Sequence, residues 1–117
     1  MIFGRHLIVD LFGIKRDLLN DADAIGSLLA RAAAAAGATV IDSCSHSFSP
    51  HGVTATVTLA ESHISLHSWP ENGYCALDIF VCGSSDPFKA LEVIRDHFLP
   101  LREQVVELPR GESEDAL

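Results

Sequence analysis

Alternating hydrophobic and polar positions predict the clearest element of the chain. Val53–Leu59 has apolar side chains at every odd-numbered position and threonine at Thr54, Thr56 and Thr58. This period of two is typical of a strand with one buried and one exposed face. Less regular apolar runs, bounded by glycine, proline or polar residues, predict five further strands. They are His6–Phe12, Ala38–Phe48, Ile64–Ser68, Tyr74–Cys82 and Arg102–Leu108.

Two other segments carry helix signals. The first is rich in leucine and alanine, runs to Ala36, and can be capped at its start by Asp17 or Asn20. A second helix begins at Asp86–Pro87, where an N-cap residue is followed by a proline in the first turn, and ends near Phe98–Pro100. The predicted element order is therefore β-α-β-β-β-β-α-β.

Short connections between the middle strands determine the expected sheet. The turns Ser49–Gly52 and Trp69–Gly73 are too short for parallel crossovers, which need a dozen or more residues, so neighbouring strands must pair antiparallel. We predict an α+β fold, a two-layer sandwich with a mostly antiparallel sheet and both helices on one face, forming a single domain over residues 1–117. The other sheet face would be uncovered, which predicts a homodimer through this face.

Charge and cysteine content narrow the possible partners and compartment. The chain has 16 acidic and 8 basic side chains and a net charge of −8, which argues against binding to nucleic-acid phosphates. Acidic residues concentrate in Asp17–Asp23 and Glu112–Asp115, which favours a role in solubility, and residues 110–117 are predicted to fray. No apolar run reaches the ~18–20 residues that span a bilayer, and no signal-peptide cleavage site follows the first apolar run. Three cysteines at irregular spacing predict free thiols in a reducing cytoplasm.

The segment of residues 60–83 concentrates the chain's reactive side chains. Alternation predicts three polar rows on neighbouring strands: the threonines already named, then His63, Ser65 and His67, then Tyr74, Ala76, Asp78, Phe80 and Cys82. Spacing alone is compatible with a polar interface as well as with a catalytic site. A zinc site made of His63, His67, Cys75 and Cys82 is disfavoured, because strand residues four apart lie roughly 13 Å from each other. We therefore predict no metal site.

Several motifs resemble a known family. Glu61-Ser62-His63, His67-Ser68-Trp69-Pro70-Glu71, Gly73-Tyr74 and Phe80-Val81-Cys82-Gly83 resemble the processing and active-site signature of the small prokaryotic S-adenosylmethionine decarboxylases, which are pyruvoyl-dependent enzymes. Gly4-Arg5-His6, Gly37-Ala38-Thr39 and Phe48-Ser49-Pro50-His51-Gly52-Val53 resemble the same family, in the same order. The resemblance covers about residues 4–109, nearly the whole chain.

The resemblance implies that the chain makes its own pyruvoyl cofactor. Ser62 Oγ would attack the carbonyl of Glu61 and form an ester, whose elimination and hydrolysis leave a pyruvoyl group at residue 62. The products would be a β chain of residues 1–61 and an α chain of residues 62–117. By the same resemblance His67 is the acid or base of processing, a role that suits an imidazole.

The resemblance also implies how a substrate would be bound and decarboxylated. The substrate amine would form a Schiff base with the pyruvoyl group, which acts as the electron sink, and Cys82 would reprotonate the resulting carbanion. Phe48 would stack on adenine, and Glu71 would bind the ribose hydroxyls or lie near the sulfonium. Thr54 stands where many relatives have serine, and its hydroxyl could assist the ester intermediate.

The implied function is decarboxylation of S-adenosylmethionine, which supplies aminopropyl groups for spermidine and other polyamines. Two alternatives stay open at this point. One is the same pyruvoyl chemistry on ornithine, arginine or another amino acid. The other is a non-enzymatic metal-binding or interaction domain.

Overall fold

One six-stranded sheet and one layer of helices make up the structure, a computed structural model that describes residues 2–111. The strands are β1 (Gly4–Phe12), β2 (Val40–Ser47), β3 (Val53–Leu59), β4 (Ser62–Trp69), β5 (Tyr74–Cys82) and β6 (Arg102–Arg110). The helices are α1 (Arg16–Leu19), α2 (Ala22–Ala36) and α3 (Pro87–Phe98), with a 3-10 helix at Pro70–Asn72. The sheet order is β2-β3-β4-β5-β1-β6, and these pairs are antiparallel, which confirms the predicted α+β sandwich.

The beginning of the helical layer differs from the prediction. The structure has a short α1 and a separate α2, and Asp21 caps α2 by accepting a hydrogen bond from the Ala24 N–H at 3.0 Å. The prediction of Asp17 or Asn20 as the cap was therefore wrong. Asn20 ends α1, and its side-chain oxygen accepts instead from the Gly52 N–H at 3.0 Å.

Strand boundaries differ from the prediction by one or two residues. The prediction that β2 begins at Ala38 was wrong, because Gly37 adopts the left-handed conformation (φ +87°) and Ala38 donates its N–H back to the carbonyl of Ala33. By contrast, β1, β4 and β6 are longer than predicted. The sequence predicted a frayed tail over residues 110–117. Arg110 instead belongs to β6, and Gly111 follows the strand. Residues 112–117 lie outside the described part of the chain.

The hydrophobic core lies between the sheet and the two longer helices. Every odd-numbered residue of β3 and the alternate residues Ile64 and Leu66 of β4 are buried there. They pack with Ile25, Leu28, Leu29, Leu91, Ile94 and Phe98 of the helices. The predicted alternation is thus confirmed, since burial of one face on the helices forces the other set of side chains away from them.

We call the second sheet face, which carries the threonine row of β3 and His63, Ser65 and His67 of β4, the open face. The three predicted polar rows are neighbours on it, as Thr54 pairs with His67, Thr56 with Ser65, and Ser65 with Asp78. Large apolar side chains are exposed on the same face toward β6. They are Ile8, Val106 and Leu108, with relative exposures of 42, 51 and 41%.

Candidate active site

The tight turn between β3 and β4 holds the predicted cleavage site. Glu61 lies in this turn with φ +60°, and Ser62 is the first residue of β4. The Cys82 thiol donates to the Glu61 carbonyl oxygen at 3.0 Å, and the Cys82 backbone N–H donates to Ser62 Oγ at 3.1 Å. We call Glu61, Ser62 and Cys82 the hairpin cluster. One cysteine thus contacts both the carbonyl that the serine would attack and the serine oxygen itself.

A second group of predicted residues surrounds a surface cleft of about 290 Å³. We call it the cleft; its lining residues include Phe48, His51, Thr54, His67, Trp69 and Glu71. Thr54 Oγ1 lies 3.0 Å from His67 Nδ1, because the two residues are direct partners on β3 and β4. The imidazole can therefore exchange a proton with an aligned hydroxyl group.

The hairpin cluster and the cleft lie at opposite ends of the strands. His67 is five residues beyond Ser62 on the extended strand β4, which corresponds to ~16 Å. His67 pairs with Ala76 on β5, and Cys82 lies six residues beyond that position, or ~20 Å. The structure therefore brings Glu61, Ser62 and Cys82 together, and it brings Phe48, Thr54, His67 and Glu71 together. Within one chain it does not join the two groups.

A histidine–glutamate pair in the cleft was missed by the sequence analysis. His51 Nε2 lies 2.8 Å from Glu71 Oε2, and both side chains are about one-third exposed. A backbone hydrogen bond at Glu71 itself, and then the hydrogen bond from His51, hold the pKa of the Glu71 carboxyl below its usual value. The sequence contained a signal for this pair, because His51 lies in a Ser-Pro-His-Gly turn that directly follows the aromatic Phe48.

The floor of the cleft is fixed by a buried hydroxyl group that the sequence analysis also missed. Ser68 is 7% exposed, and its Oγ donates to the Leu19 carbonyl at 2.7 Å while accepting from the Val53 N–H at 2.9 Å. A buried hydroxyl with both roles satisfied joins α1, β3 and β4. The start of β3 is thereby held against α1.

Aromatic side chains extend from the cleft across the open face. Trp69 stacks on Tyr74 and Tyr74 on Phe12, each with ring centroids 5.2 Å apart, and the Arg102 guanidinium lies 4.0 Å from the Phe12 ring centroid. The Tyr74 hydroxyl donates to Asp10, and this bond, followed by burial, raises the pKa of Tyr74 to about 12. The phenol is thus a neutral structural donor at physiological pH.

Neither a metal site nor a membrane span is found in the part of the chain that the structure describes. Among residues 2–111, no three or more His, Cys, Asp or Glu side chains are grouped closely enough to hold a metal ion. Cys75, one of the four zinc ligands considered, is buried on the helix side of the sheet, whereas His63 lies on the open face. No helix within these residues is long and apolar enough to cross a bilayer.

Comparison with known proteins gives consistent matches. Residues 5–111 match the family model described as S-adenosylmethionine decarboxylase. The chain is 40% identical over 113 residues to the S-adenosylmethionine decarboxylase proenzyme of Fervidobacterium nodosum, covering 96% of this chain and 82% of that protein. It is 42% identical over 109 residues to the proenzyme of Methanococcus vannielii, covering 92% and 89%.

Solved structures agree with these matches. The crystal structure of the adenosylmethionine decarboxylase from Aquifex aeolicus superposes with a TM-score of 0.89 at 36% identity, covering 97% of this chain and 95% of that one. A Trypanosoma brucei AdoMetDC-delta26 monomer is similar in fold, with a TM-score of 0.68 at 13% identity, and this chain covers 45% of its length.

Proposed function

The chain belongs to the S-adenosylmethionine decarboxylase family, and from this premise we propose that it decarboxylates S-adenosylmethionine at a pyruvoyl group formed from its own Ser62. The product would serve polyamine synthesis. The observation that carries the proposal is the hairpin cluster, in which the Cys82 thiol lies on the Glu61 carbonyl while the Cys82 N–H holds Ser62 Oγ. These are the contacts that attack of a serine on the preceding carbonyl requires.

Maturation then follows from the chemistry of these three residues. Ser62 Oγ attacks the Glu61 carbonyl carbon, the peptide C–N bond breaks, and an ester joins the two residues. Elimination across the Cα–Cβ bond of residue 62 releases the Glu61 carboxylate, and one water molecule then displaces ammonia to leave the pyruvoyl group. Glu61 ends the β chain and residue 62 begins the α chain. The thiol of Cys82 stabilises the oxyanion that develops on Glu61 during the first step.

The separation of His67 from Ser62 favours a homodimer with composite sites. An imidazole ~16 Å from the serine of its own chain cannot take that proton, because proton transfer needs hydrogen-bond distance. We propose that two chains stack their open faces so that the hairpin cluster of one chain meets the cleft of the other. The exposed apolar side chains toward β6 would be buried in such an interface.

The register of the sheet also suggests a two-fold axis for the proposed dimer. Midway between Ser62 and His67 on β4 is Ser65, and the row through it crosses all six strands. The row is Cys44, Thr56, Ser65, Asp78, Ile8 and Val106. A two-fold axis along this row places the hairpin cluster of each chain over the cleft of its partner, giving a self-complementary interface with two sites.

Binding and protonation of the substrate are assigned on the same basis. Phe48 is half-exposed at the mouth of the cleft, where its ring can stack on adenine, and Glu71 and Thr54 line the same cleft. The pyruvoyl group, once formed, supplies an electron sink for the decarboxylation. The Cys82 backbone N–H donates to Ser62 Oγ, so Cys82 lies beside residue 62. This position suits the Cys82 thiol to return a proton to the substrate carbon.

Mass spectrometry under denaturing conditions, followed by a substrate panel, tests the proposed function. Purified protein should give two chains that divide at Glu61-Ser62, and Ser62→Ala should remain a single inactive chain. Cleaved protein should release CO₂ from S-adenosylmethionine and far less from ornithine, arginine or lysine. Cys82→Ala should cleave slowly and turn over poorly. An intact wild-type chain that still decarboxylates would exclude the pyruvoyl mechanism, and preference for ornithine or arginine would exclude only the substrate.

A further inference from the structure

His51 and Glu71 line the cleft and are held by separate backbone turns. The turn carrying His51 is closed by the Phe48 N–H, which donates to the Gly52 carbonyl at 2.8 Å, and is tied to α1 by the bond from the Gly52 N–H to Asn20. Glu71 lies in the 3-10 helix Pro70–Asn72, which is tied to the end of β1 through the bond from Ile14 N–H to the Gly73 carbonyl. Both backbones are thus fixed, and only the two side chains can adjust.

We infer that His51 is a positioning residue, which fixes the Glu71 carboxylate so that the cleft selects ligands carrying ribose hydroxyls. The inference rests on the proposed function, because it takes the cleft as the nucleoside site. His51 Nε2 lies 2.8 Å from Glu71 Oε2, and this contact holds the carboxylate from outside its own turn. A carboxylate held in one orientation discriminates for a hydroxyl group, whereas a freely rotating one can turn to water instead.

Two observations argue that the pair serves orientation and does little for stability. Both side chains are about one-third exposed, and ion pairs in such positions contribute little to folding. Arg16 also lies close enough to lower the pKa of Glu71, although it is the weakest of the causes, so the carboxylate does not depend on His51 alone for its charge. The contribution specific to His51 is a short contact that holds the carboxylate from a second turn.

The test measures ligand selectivity in a double-mutant cycle. Cleaved wild type, His51→Leu, Glu71→Gln and the double variant are titrated with adenosine and with 2′,3′-dideoxyadenosine. Wild type should prefer adenosine by at least about tenfold, the size expected for hydrogen bonds to a charged group. His51→Leu should lose most of this preference, and the double variant should be no worse than Glu71→Gln. His51→Gln retains an N–H donor and should recover part of the preference.

Steady-state kinetics with S-adenosylmethionine provide a second readout. His51→Leu should raise KM with kcat nearly unchanged, and self-cleavage should proceed as in wild type. His97→Gln, a change to a histidine outside the cleft, is the matched control and should keep the wild-type preference. An equal preference in wild type and His51→Leu, no preference in wild type, or additive losses in the cycle would each overturn the inference. Failure of the wild type to cleave or to release CO₂ would instead overturn the proposed function.

Discussion

Glu61 is the residue where the backbone conformation and the proposed chemistry coincide. Its φ of +60° lies in the left-handed region, which costs a residue with a side chain about 1–2 kcal/mol. The conformation is held from three directions: by the pairing of Leu59 with Ser62, by the bond from the Ala60 N–H to the Thr39 carbonyl, and by Cys82. The proposed cleavage after Glu61 would free this residue to relax, so the strain would favour the cleaved product.

Substitution of Glu61 tests this role of backbone strain. Glu61→Gly should slow self-cleavage by up to about 5- to 30-fold, because glycine adopts the left-handed conformation at no cost. Glu61→Ala keeps the strain and removes only the carboxylate, so it should cleave within about twofold of wild type. In a Ser62→Ala background that cannot cleave, the glycine variant should melt at a higher temperature than the alanine variant. Equal cleavage rates for the two variants would contradict the strain argument.

Phe48 is the residue whose substitution should separate substrate binding from maturation. Stacking of a base on an aromatic ring contributes about 1–3 kcal/mol, so Phe48→Ala should lower kcat/KM for S-adenosylmethionine roughly 5- to 150-fold. Self-cleavage should be largely unaffected, because attack of Ser62 on Glu61 needs a nucleophile, a base and an oxyanion donor, and a phenyl ring supplies none of these. CO₂ release from S-adenosylmethionine and from ornithine, compared in wild type and variant, is the measurement. A similar loss on both substrates would argue against adenine stacking.

At the scale of an element, α3 carries a histidine that should make stability depend on pH. His97 Nε2 is buried without a hydrogen-bond partner among the described residues. Burial, and then the positive charge of Arg31, lower the pKa of His97, while Asp21 opposes them. The unfolded chain therefore takes up a proton near pH 6.5 that the folded chain accepts only at a lower pH, and stability falls as the pH drops below the unfolded value.

Urea denaturation of the uncleaved Ser62→Ala protein at pH 7.5, 6.5 and 5.5 measures this contribution. The informative quantity is the difference from a variant with His97→Gln, because this difference isolates the contribution of one side chain. The stability lost between pH 7.5 and 5.5 should be smaller in the variant, since glutamine has no proton to accept. An unchanged loss would show that the environment of His97 in α3 does not disfavour its charged form.

At the scale of the whole molecule, the separation of Ser62 and His67 along β4 is the basis of the proposed composite site. Two defective variants should therefore complement each other. Co-expression of His67→Ala, which keeps Ser62, with Ser62→Ala, which keeps His67, should form mixed dimers in which one site is complete. The His67→Ala chain should be cleaved in these dimers and remain largely intact when expressed alone, which mass spectrometry of differently tagged chains can measure. Absence of cleavage in isolated mixed dimers would contradict the composite site.

Local sequence by itself determined most elements of the fold and marked the candidate reactive residues. The alternation of Val53–Leu59 was sufficient to place its threonines opposite the core, because strand geometry fixes the face of each side chain from its position alone. The proposed cleavage site also came from a local feature, the resemblance of the motif around Glu61 and Ser62 to a family signature. The cap of α2 was less predictable, because Asn20 is suitable by type but bonds to Gly52, 32 residues away.

Only the tertiary structure decided which reactive groups meet. Cys82 reaches the Glu61 carbonyl across 21 residues of chain, and His51 reaches Glu71 from a different turn, because strand pairing and helix packing bring distant backbones together. Conversely, Ser62 and His67 are close in sequence and far apart in space, because an extended strand separates residues by ~3.3 Å each. Side-chain chemistry is a property of each residue, whereas the distance between two residues depends on the path of the whole chain.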